Sequence, residues 1–488
     1  MTKNEIPRFL PGDFLFHRQE KEDSTAGRVR KSAVVCPKAH CMIESDGMQK
    51  GMKPMGMKAT EQKPLRWLRL DNAAKIYPAS RRRNWVNVFR LSMSLTETVD
   101  VEILQTALDV TAPRFPSICA RLRRGVFWYY LQQMSGSPKV RQEYSYPLTY
   151  MPREELRRCA IRVIAYENRI AIEVFHALAD GNGALVFLKT LVAEYLQQKY
   201  GITVPAENGV LDRQEAPREE ELEDSFQKHA GTICASRKSD DAWLLSGTPE
   251  RDNFLNLTCL RLPVEAVREK AHAYKTSITG FLGAVMMLSL QQLQAELVPQ
   301  QRKRKPIKVL LPINLRKMFG STTLRNFVLY TTPQIQTRLG AYSFEEICRI
   351  VHHQLGLDNN PRHMSTMIAT NVMSEQLLIV KLMPLFIKNI VMKAVFDAVG
   401  ERKSCLSLSN LGVVKLPQVM MPYVERLDFV LGVQAAAPYN CGVIAFGDTI
   451  NVNFIRNTRE ALLEAKFFQN LRDMGIPVLA ESNRQDRR

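Results

Sequence analysis

The N-terminal half of the chain alternates between strand-like and helix-like patterns of apolar residues. Apolar and polar residues alternate in NWVNVFRLSMSL (84–95), which predicts a strand. DVEILQTALDVTAPRF (100–115) begins with Asp and has helical spacing, which predicts a helix. Residues 159–176 predict a hairpin with a two-residue turn. From residue 182 to about residue 201, apolar residues recur at intervals of three and four, as in an amphipathic helix.

The C-terminal half repeats the same kinds of elements. Strand-like and helix-like runs follow one another without the tandem parallel rhythm of a doubly wound sheet. A hairpin is predicted over 441–455, because Gly447-Asp448 is a strong two-residue turn signal. The other predicted strands are 254–262, 307–313, 326–336, 405–412 and 426–433, and the predicted helices begin near 264 or cover 280–293 and 459–475. The pattern favours an α+β fold with two related lobes.

Length and composition agree with two lobes. The 488 residues exceed what one hydrophobic core usually serves. Residues 1–62 carry many charges and little periodicity, so we predict a disordered extension there. We place an N-terminal lobe at 63–205, an acidic linker or crossover at 206–252 and a C-terminal lobe at 253–488. The composition, 45% apolar and 24% charged, is that of a globular protein.

The net charge and the cysteine content indicate what kind of partner the protein binds and which compartment it occupies. The formal net charge of +18 favours an anionic partner, such as an acidic membrane face, a phosphorylated ligand or nucleic acid. No nucleic-acid motif or aromatic–basic platform accompanies it, so we expect no nucleic-acid binding. The nine cysteines are an odd number, and no secretory leader is evident, which predicts a reduced, cytoplasmic protein. Cys36 and Cys41 flank His40 without a second ligand pair at finger-like spacing, so we predict no metal site.

The longest apolar stretch is EQLLIVKLMPLFIKNIVMKAVF (375–396). Three lysines interrupt it and Pro384 would bend it, so it does not have the roughly 18 unbroken apolar residues of a membrane span. We expect it to pack against the protein's own core, as apolar helix faces usually do. The alternative is a basic amphipathic helix lying on a membrane surface.

The strongest candidate for chemistry is His176, in EVFHALADGNG, where the predicted hairpin gives way to the predicted helix. A histidine at a strand end is near a cleft or the surface, and its neutral ring accepts a proton from a hydroxyl, amine or thiol. Asp180, if held by an arginine, would fix the loop that presents the ring. Gly181 would permit backbone angles that other residues resist and let the following helix approach. The alternative is a core histidine beside a turn-forming Asp-Gly pair.

HALADG between a strand and a helix resembles the His-x-x-x-Asp-Gly signature of the chloramphenicol acetyltransferase-like superfamily. That superfamily includes CoA-dependent alcohol acyltransferases, polyketide-associated acyltransferases and nonribosomal-peptide condensation domains. The resemblance covers roughly residues 64–480. It implies an α+β fold of two pseudo-symmetric lobes with a central active-site tunnel.

The resemblance also implies roles for residues outside the motif. VLLPINLRKMF resembles the strand whose arginine pairs with the motif aspartate, which nominates Arg316 as the partner of Asp180. LRNFV resembles an element that faces the tunnel, and SLSNLG resembles a segment of the alcohol acetyltransferase branch. These two stretches nominate Asn326, Ser409 and Asn410 as tunnel or substrate residues.

The chain departs from two branches of the superfamily. Many condensation domains carry two adjacent histidines, whereas position 175 is Phe. The second histidine is the catalytic one in that family, and it corresponds to His176. The Asp-Phe-Gly-Trp-Gly block of the plant acyltransferases is absent from the sequence, which disfavours a plant-type enzyme.

In the implied reaction, His176 is the general base that takes the proton from an acceptor alcohol or amine as it attacks an acyl thioester. Acyl-CoA would be a substrate, the acceptor a small or lipid-like molecule, and no cofactor would be bound. A condensation-type catalyst that takes its acyl group from an acyl carrier protein stays open, as does a catalytically silent binding module of the same fold. A basic cluster would meet CoA phosphates or the acidic carrier, unless it is a solvated loop: Arg302, Lys303, Arg304, Lys305, Lys308, Arg316, Lys317 and Arg325.

Overall fold

Two large β-sheets, each covered by helices, account for most of the described chain. The computed structural model describes residues 65–81, 87–234, 239–399, 402–434 and 437–484. These residues belong to one compact unit. The predictions made for residues 1–62, including the Cys36, His40 and Cys41 group, lie outside the described residues.

The strands and helices have the following bounds. The strands are β1 (Trp67–Arg69), β2 (Val88–Leu95), β3 (Ala120–Arg124), β4 (Tyr129–Gln133), β5 (Val140–Gln142), β6 (Ile161–Tyr166), β7 (Arg169–Phe175), β8 (Asn256–Pro263), β9 (Ile307–Asn314), β10 (Val328–Thr331), β11 (Gln334–Ile335), β12 (Leu406–Val413), β13 (Val424–Val430), β14 (Tyr439–Phe446), β15 (Thr449–Arg456) and β16 (Leu479–Ser482). The α-helices are α1 (Ile76–Ala79), α2 (Val101–Thr111), α3 (Arg153–Arg158), α4 (Gly181–Tyr200), α5 (Glu219–Leu222), α6 (Ser225–Lys228), α7 (Val264–Ala273), α8 (Ile278–Leu297), α9 (Arg316–Phe319), α10 (Phe344–Asp358), α11 (Pro361–Gln376), α12 (Leu378–Leu382), α13 (Leu385–Val399) and α14 (Leu462–Asp473).

The first large sheet presents the histidine. Its strand order is β13-β2-β7-β6-β5, and α2 and α4 pack on one another beside it. The predicted hairpin at 159–176 is confirmed as β6 and β7, joined at a turn where Glu167 has a positive φ of 48°. The predicted helix from 182 is confirmed as α4, which is capped by Asp180 and ends at Gly201 in the left-handed conformation.

The second large sheet has the order β10-β9-β12-β14-β15-β8-β16, with β11 added beside β9. The predicted hairpin at 441–455 is confirmed as β14 and β15, whose turn uses Gly447 at φ +55°. Helices α8, α10 and α14 pack together and bury an apolar core against this sheet. A third, small sheet has the order β1-β4-β3. The α+β fold class predicted from the sequence is therefore confirmed.

One strand of the C-terminal half belongs to the first sheet. The sequence predicts a strand at 426–433 within the C-terminal lobe, but β13 pairs antiparallel with β2, from Val424 opposite Leu95 to Val430 opposite Arg90. A strand's apolar period indicates burial, and it does not identify the sheet that the strand joins. The exchange ties the two halves of the chain together. The lobe boundaries otherwise stay a prediction.

The stretch predicted as an acidic linker, 206–252, packs against both halves. Glu221 of α5 is ion-paired with the buried Arg114, and its backbone oxygen accepts a hydrogen bond from the Leu324 amide at 2.8 Å. Phe226 of α6 is buried against Phe327. Residues 221–226 therefore pack against the segment 324–327 and hold it in place.

The prediction that residues 375–396 pack into the core is wrong for most of their apolar side chains. The segment forms the end of α11, then α12 and α13. Leu385 is buried, but Ile379, Leu382, Phe386 and Ile390 are 60–73% exposed. The apolar period predicts an amphipathic helix without saying which face is turned inward. Within the described residues, the helices are too short or too polar to cross a bilayer.

Candidate active site

His176 lies directly after β7, with its ring held between aromatic side chains. Its backbone amide donates to the Asn87 oxygen at 2.9 Å. The Tyr77 ring stacks on the imidazole, with centroids 4.5 Å apart and planes 18° apart, and Phe89 of β2 meets it edge-on at 5.1 Å. These contacts fix the plane of the imidazole before any substrate arrives.

Asp180 joins the histidine loop to the second half of the chain. Its Oδ1 accepts hydrogen bonds from the amides of Asn182 and Gly183, at 3.1 and 3.0 Å, which caps α4. Arg316 forms a two-pronged ion pair with both carboxylate oxygens, at 2.9 and 3.0 Å. The Phe327 amide donates to Oδ2 at 2.9 Å. Five donors therefore surround a carboxylate whose function is to hold backbone.

Arg316 carries the connection further. Its Nε donates to the Thr323 oxygen at 2.8 Å, and one terminal nitrogen donates to the Arg325 oxygen at 2.7 Å. The guanidinium thus fixes the segment from residue 323 to residue 327 against the motif loop. The structure brings together Asp180 and Arg316, the pair that the resemblance implies.

Asn326 contacts the histidine directly. The His176 Nδ1 lies 3.0 Å from the Asn326 Oδ1. The other end of this side-chain amide, Nδ2, donates to the Asp71 Oδ2 at 3.1 Å, and the Ala74 amide donates to the Asp71 Oδ1 at 2.7 Å. Since a carboxylate only accepts hydrogen bonds, Asp71 requires Nδ2 to face it and Oδ1 to face the histidine.

The chain Asp71–Asn326–His176 determines the tautomer of the imidazole. An amide oxygen opposite Nδ1 requires the proton on Nδ1, which leaves Nε2 with its lone pair. A further charged group, the buried Arg325, lies 3.7 Å from Asp71. Nε2 is therefore the nitrogen that can take a proton from an acceptor.

The electrostatic environment favours the neutral ring. Burial lowers the pKa of His176 below its usual value of 6.5, and the hydrogen bonds and the charges of Asp180 and Asp71 oppose that shift. Burial, helped by Asp71 and Asp180, raises the pKa of Tyr77 well above 10, so the stacked phenol keeps its proton. At neutral pH the site therefore presents an unprotonated Nε2 beside a neutral tyrosine.

Gly181, the motif glycine, and Gly183, two residues later, are needed for space. Gly181 does not have a positive φ, so the predicted need for unusual backbone angles is wrong, while the predicted close approach is present. A Cβ at Gly181 would lie 2.9 Å from the Leu411 side chain. A Cβ at Gly183 would lie 1.9 Å from the Leu324 oxygen, so α4 can begin here only without a side chain.

Ser409 and Asn410 lie on β12, whose next residue, Leu411, packs against Gly181. Both side chains are half-buried. The Asn410 Nδ2 donates to the Thr279 Oγ1 at 3.0 Å, and its Oδ1 accepts from the Gly412 amide at 2.8 Å. Asn410 therefore organises β12 against the start of α8, and its role toward a substrate stays a prediction, as does that of Ser409.

The basic cluster between residues 302 and 325 is not one surface. Lys308 is buried and donates to Ser239 and to the Asp240 oxygen, both at 2.7 Å. Arg316 is paired with Asp180, and Arg325 is buried beside Asp71. The exposed members are Arg302, Lys303, Lys305 and Lys317.

In the described ranges, His, Cys, Asp and Glu do not gather in a group of three or more that could hold a metal.

Sequence reasoning missed Asp71, Tyr77 and Phe89. Asp71-Asn72 has only the pattern of a turn, and Tyr77 precedes a proline in a short helix. Asp71 meets Asn326 across 255 positions of the chain, a contact that no local pattern encodes.

Comparisons with known proteins find relatives by structure. No protein-family model matches the chain, and no curated protein matches its sequence significantly. TRI101 of F. sporotrichioides, solved with coenzyme A and T-2, superposes with a TM-score of 0.54 at 10% identity over 86% of this chain and 100% of that one.

Two other solved structures are similar to a comparable extent. Polyketide synthase associated protein 5 from Mycobacterium tuberculosis gives a TM-score of 0.51 at 13% identity, covering 84% of this chain and 98% of that one. The first condensation domain of the calcium-dependent antibiotic synthetase gives 0.54 at 13% identity, covering 84% and 96%. The chain therefore has the fold that these solved structures share, a condensation domain among them.

Proposed function

We propose that the protein is an acyltransferase that moves an acyl group from a CoA thioester to an alcohol or amine, with the Nε2 of His176 as general base. The observation that carries the proposal is the Asp71–Asn326–His176 chain, which keeps the proton on Nδ1 and the lone pair on Nε2. The solved relatives with the same fold include one bound to coenzyme A.

In the proposed reaction, Nε2 takes the proton from the acceptor O–H or N–H as the oxygen or nitrogen attacks the thioester carbon. A C–O or C–N bond forms, the carbonyl oxygen becomes negatively charged, and the C–S bond then breaks. The proton on Nε2 passes to the departing sulfur, which leaves as the free thiol of CoA. A positioned base of this kind contributes about 10²–10⁴-fold in rate.

His176 is positively charged between these two proton transfers. Asp71 and Asp180 both favour that form, Asp71 through the Asn326 amide and Asp180 through its position four residues along the loop. The ordinary state is neutral because burial dominates, and the charged state is tolerated because two carboxylates are near. That combination suits a group that accepts a proton and returns it.

The test is acceptor-dependent release of free thiol from acetyl-CoA and longer acyl-CoAs with a panel of alcohols and amines. We expect wild-type activity to fall at least about a hundredfold in His176→Ala. The matched control is His272→Ala, since His272 is exposed on α7. Equal activity in wild type and His176→Ala would refute the base assignment.

Activity with an acyl group on an acyl carrier protein, and none with acyl-CoA, would mean that the carrier protein is the donor. The proposed role of His176 would be the same. The condensation domains among the relatives make this the second donor to assay. Silence with both donors, across the whole acceptor panel, would favour the catalytically silent binding module. A bound acyl-CoA that is not turned over would distinguish that outcome from failure to bind.

A further inference from the structure

An extended apolar surface outside the candidate site lies beside the small sheet. It consists of the β3–β4 turn and the segment from the end of α11 through α13, and we call it the apolar face. The Leu385 amide donates to the Val126 oxygen at 3.0 Å, so the turn and α13 form one surface. Its exposed apolar members are Val126, Phe127, Met373, Leu377, Ile379, Leu382, Phe386, Ile387, Ile390 and Val391.

Helix α13 turns polar side chains toward the protein and apolar side chains toward solvent, the reverse of an ordinary surface helix. Lys388 is buried, donates to the Phe127 oxygen at 2.9 Å and lies 3.4 Å above the Trp128 ring. Asn389 is half-buried and donates to the Tyr129 hydroxyl at 3.2 Å. Polar side chains thus point into the protein, whereas Phe386 and Ile390 point outward. An exposed apolar patch of this extent marks a contact surface.

The apolar face is also positively charged. Lys381 and Lys393 are exposed between the apolar residues, and Arg124 is exposed beside the β3–β4 turn. From residue 361 to residue 396 the chain contains one acidic residue, Glu375, and its carboxylate is bound by Lys75 and Asn72. A partner that covers the face must therefore be apolar and anionic at once.

We propose that the apolar face docks on an anionic lipid bilayer. The apolar side chains would enter the boundary between headgroups and acyl chains, with Arg124, Lys381 and Lys393 at the level of the phosphates. Two other partners for the apolar face fit less well. A second copy of the chain would place the same lysines opposite one another, and their like charges would repel. Residues 1–64 of this chain carry twelve basic and eight acidic side chains, so their net charge is also positive.

The face lies close to the candidate active site. Helix α13 packs against α1, and α1 carries Tyr77, whose ring stacks on His176. Helices α13 and α1 would therefore lie between a docked bilayer and the imidazole. The inference stands apart from the proposed acyl transfer, because it predicts binding that does not depend on turnover.

The test is vesicle flotation of the full-length protein. We expect partitioning into phosphatidylcholine vesicles that contain phosphatidylglycerol, and much weaker partitioning into phosphatidylcholine alone. Ile379→Ser with Ile390→Ser should weaken partitioning about a hundredfold, since each buried aliphatic side chain is worth roughly tenfold. Lys381→Gln with Lys393→Gln should weaken partitioning into anionic vesicles about 25-fold, at about fivefold for each lysine.

The matched control is Leu339→Ser with Leu357→Ser. These leucines are 74% and 69% exposed, against 73% and 68% for the two isoleucines, and they lie outside the apolar face. The control should partition like the wild type. Three results would overturn the proposal: no partitioning into either vesicle, equal losses in the control and the isoleucine variant, or a dimer that the isoleucine substitutions dissociate in the absence of lipid.

Discussion

Replacing Asp71 by Asn tests how the histidine is tuned. The substitution keeps an acceptor oxygen at position 71 and removes the charge that orients Asn326. Two hydrogen bonds, of 3.1 and 3.0 Å, and the width of one amide separate Asp71 from the imidazole. At a separation of roughly 7 Å and an effective dielectric constant of about 20, the carboxylate stabilises the imidazolium by about 2 kcal/mol.

Two consequences follow from that magnitude. The imidazolium that forms between the proton transfers loses about 2 kcal/mol of stabilisation, so kcat should fall about 10–50-fold with little change in KM. The pKa of His176, already lowered by burial, should fall further, because the substitution removes a negative charge that favours the protonated ring. Since activity is lost when the ring is protonated, the acid limb of the kcat/KM profile should move to lower pH.

The assay is the pH dependence of thiol release, together with NMR of protein labelled with ¹⁵N in histidine. In the wild type we expect the ¹⁵N pattern of a neutral ring protonated on Nδ1. Asp473→Asn is the matched control, because Asp473 is exposed at the end of α14. An unchanged His176 pKa in Asp71→Asn, or a wild-type ring protonated on Nε2, would refute the reasoning.

Three further predictions concern stability. Asp180→Ala should lower the free energy of unfolding by about 3–5 kcal/mol in urea titrations, because it removes the buried carboxylate that pairs with Arg316 and caps α4. Gly183→Ala should lower the free energy of unfolding by about 3 kcal/mol or more, since the new Cβ would lie 1.9 Å from the Leu324 oxygen. The control is Gly136→Ala, whose Cβ would have no atom within 4 Å, and it should change the free energy of unfolding by less than about 0.5 kcal/mol. Burial raises the pKa of Asp224 from 3.8 to about 6, so between these pH values the folded state keeps a proton that the unfolded state releases. The contribution of this group to stability therefore falls as the pH rises from about 4 to 6. Asp224→Asn should abolish that fall, which thermal melts at several pH values would measure.

The sequence could predict the elements whose signals are local. The hairpin of β6 and β7 and the start of α4 follow from alternation, a turn and an Asp cap, and together they place His176 at a strand end. Residues that act across the chain leave no such signal. Asp71 reaches Asn326 only because the β1 region and the segment after α9 meet in three dimensions.

Orientation is the other property that periodicity leaves open. The spacing of apolar residues in α13 is helical, yet the same spacing fits a face turned inward or outward. The structure turns Lys388 inward, where a backbone oxygen and the Trp128 ring satisfy its ammonium group. Phe386 and Ile390 are left outside. The direction of the face depends on what the β3–β4 hairpin offers, and the helix sequence alone does not contain that information.

The candidate base is assembled from both halves of the chain. The first half supplies the ring, the stacked Tyr77 and the carboxylates of Asp71 and Asp180, while the second half supplies Asn326 and Arg316. Separating the halves would leave Nδ1 without its acceptor and Asp180 without its cation. The tautomer of His176 therefore depends on the same contacts that hold the lobes in register. A substitution that loosens this junction should lower catalytic competence before it unfolds either sheet, because the junction loses its hydrogen bonds while each core keeps its apolar contacts.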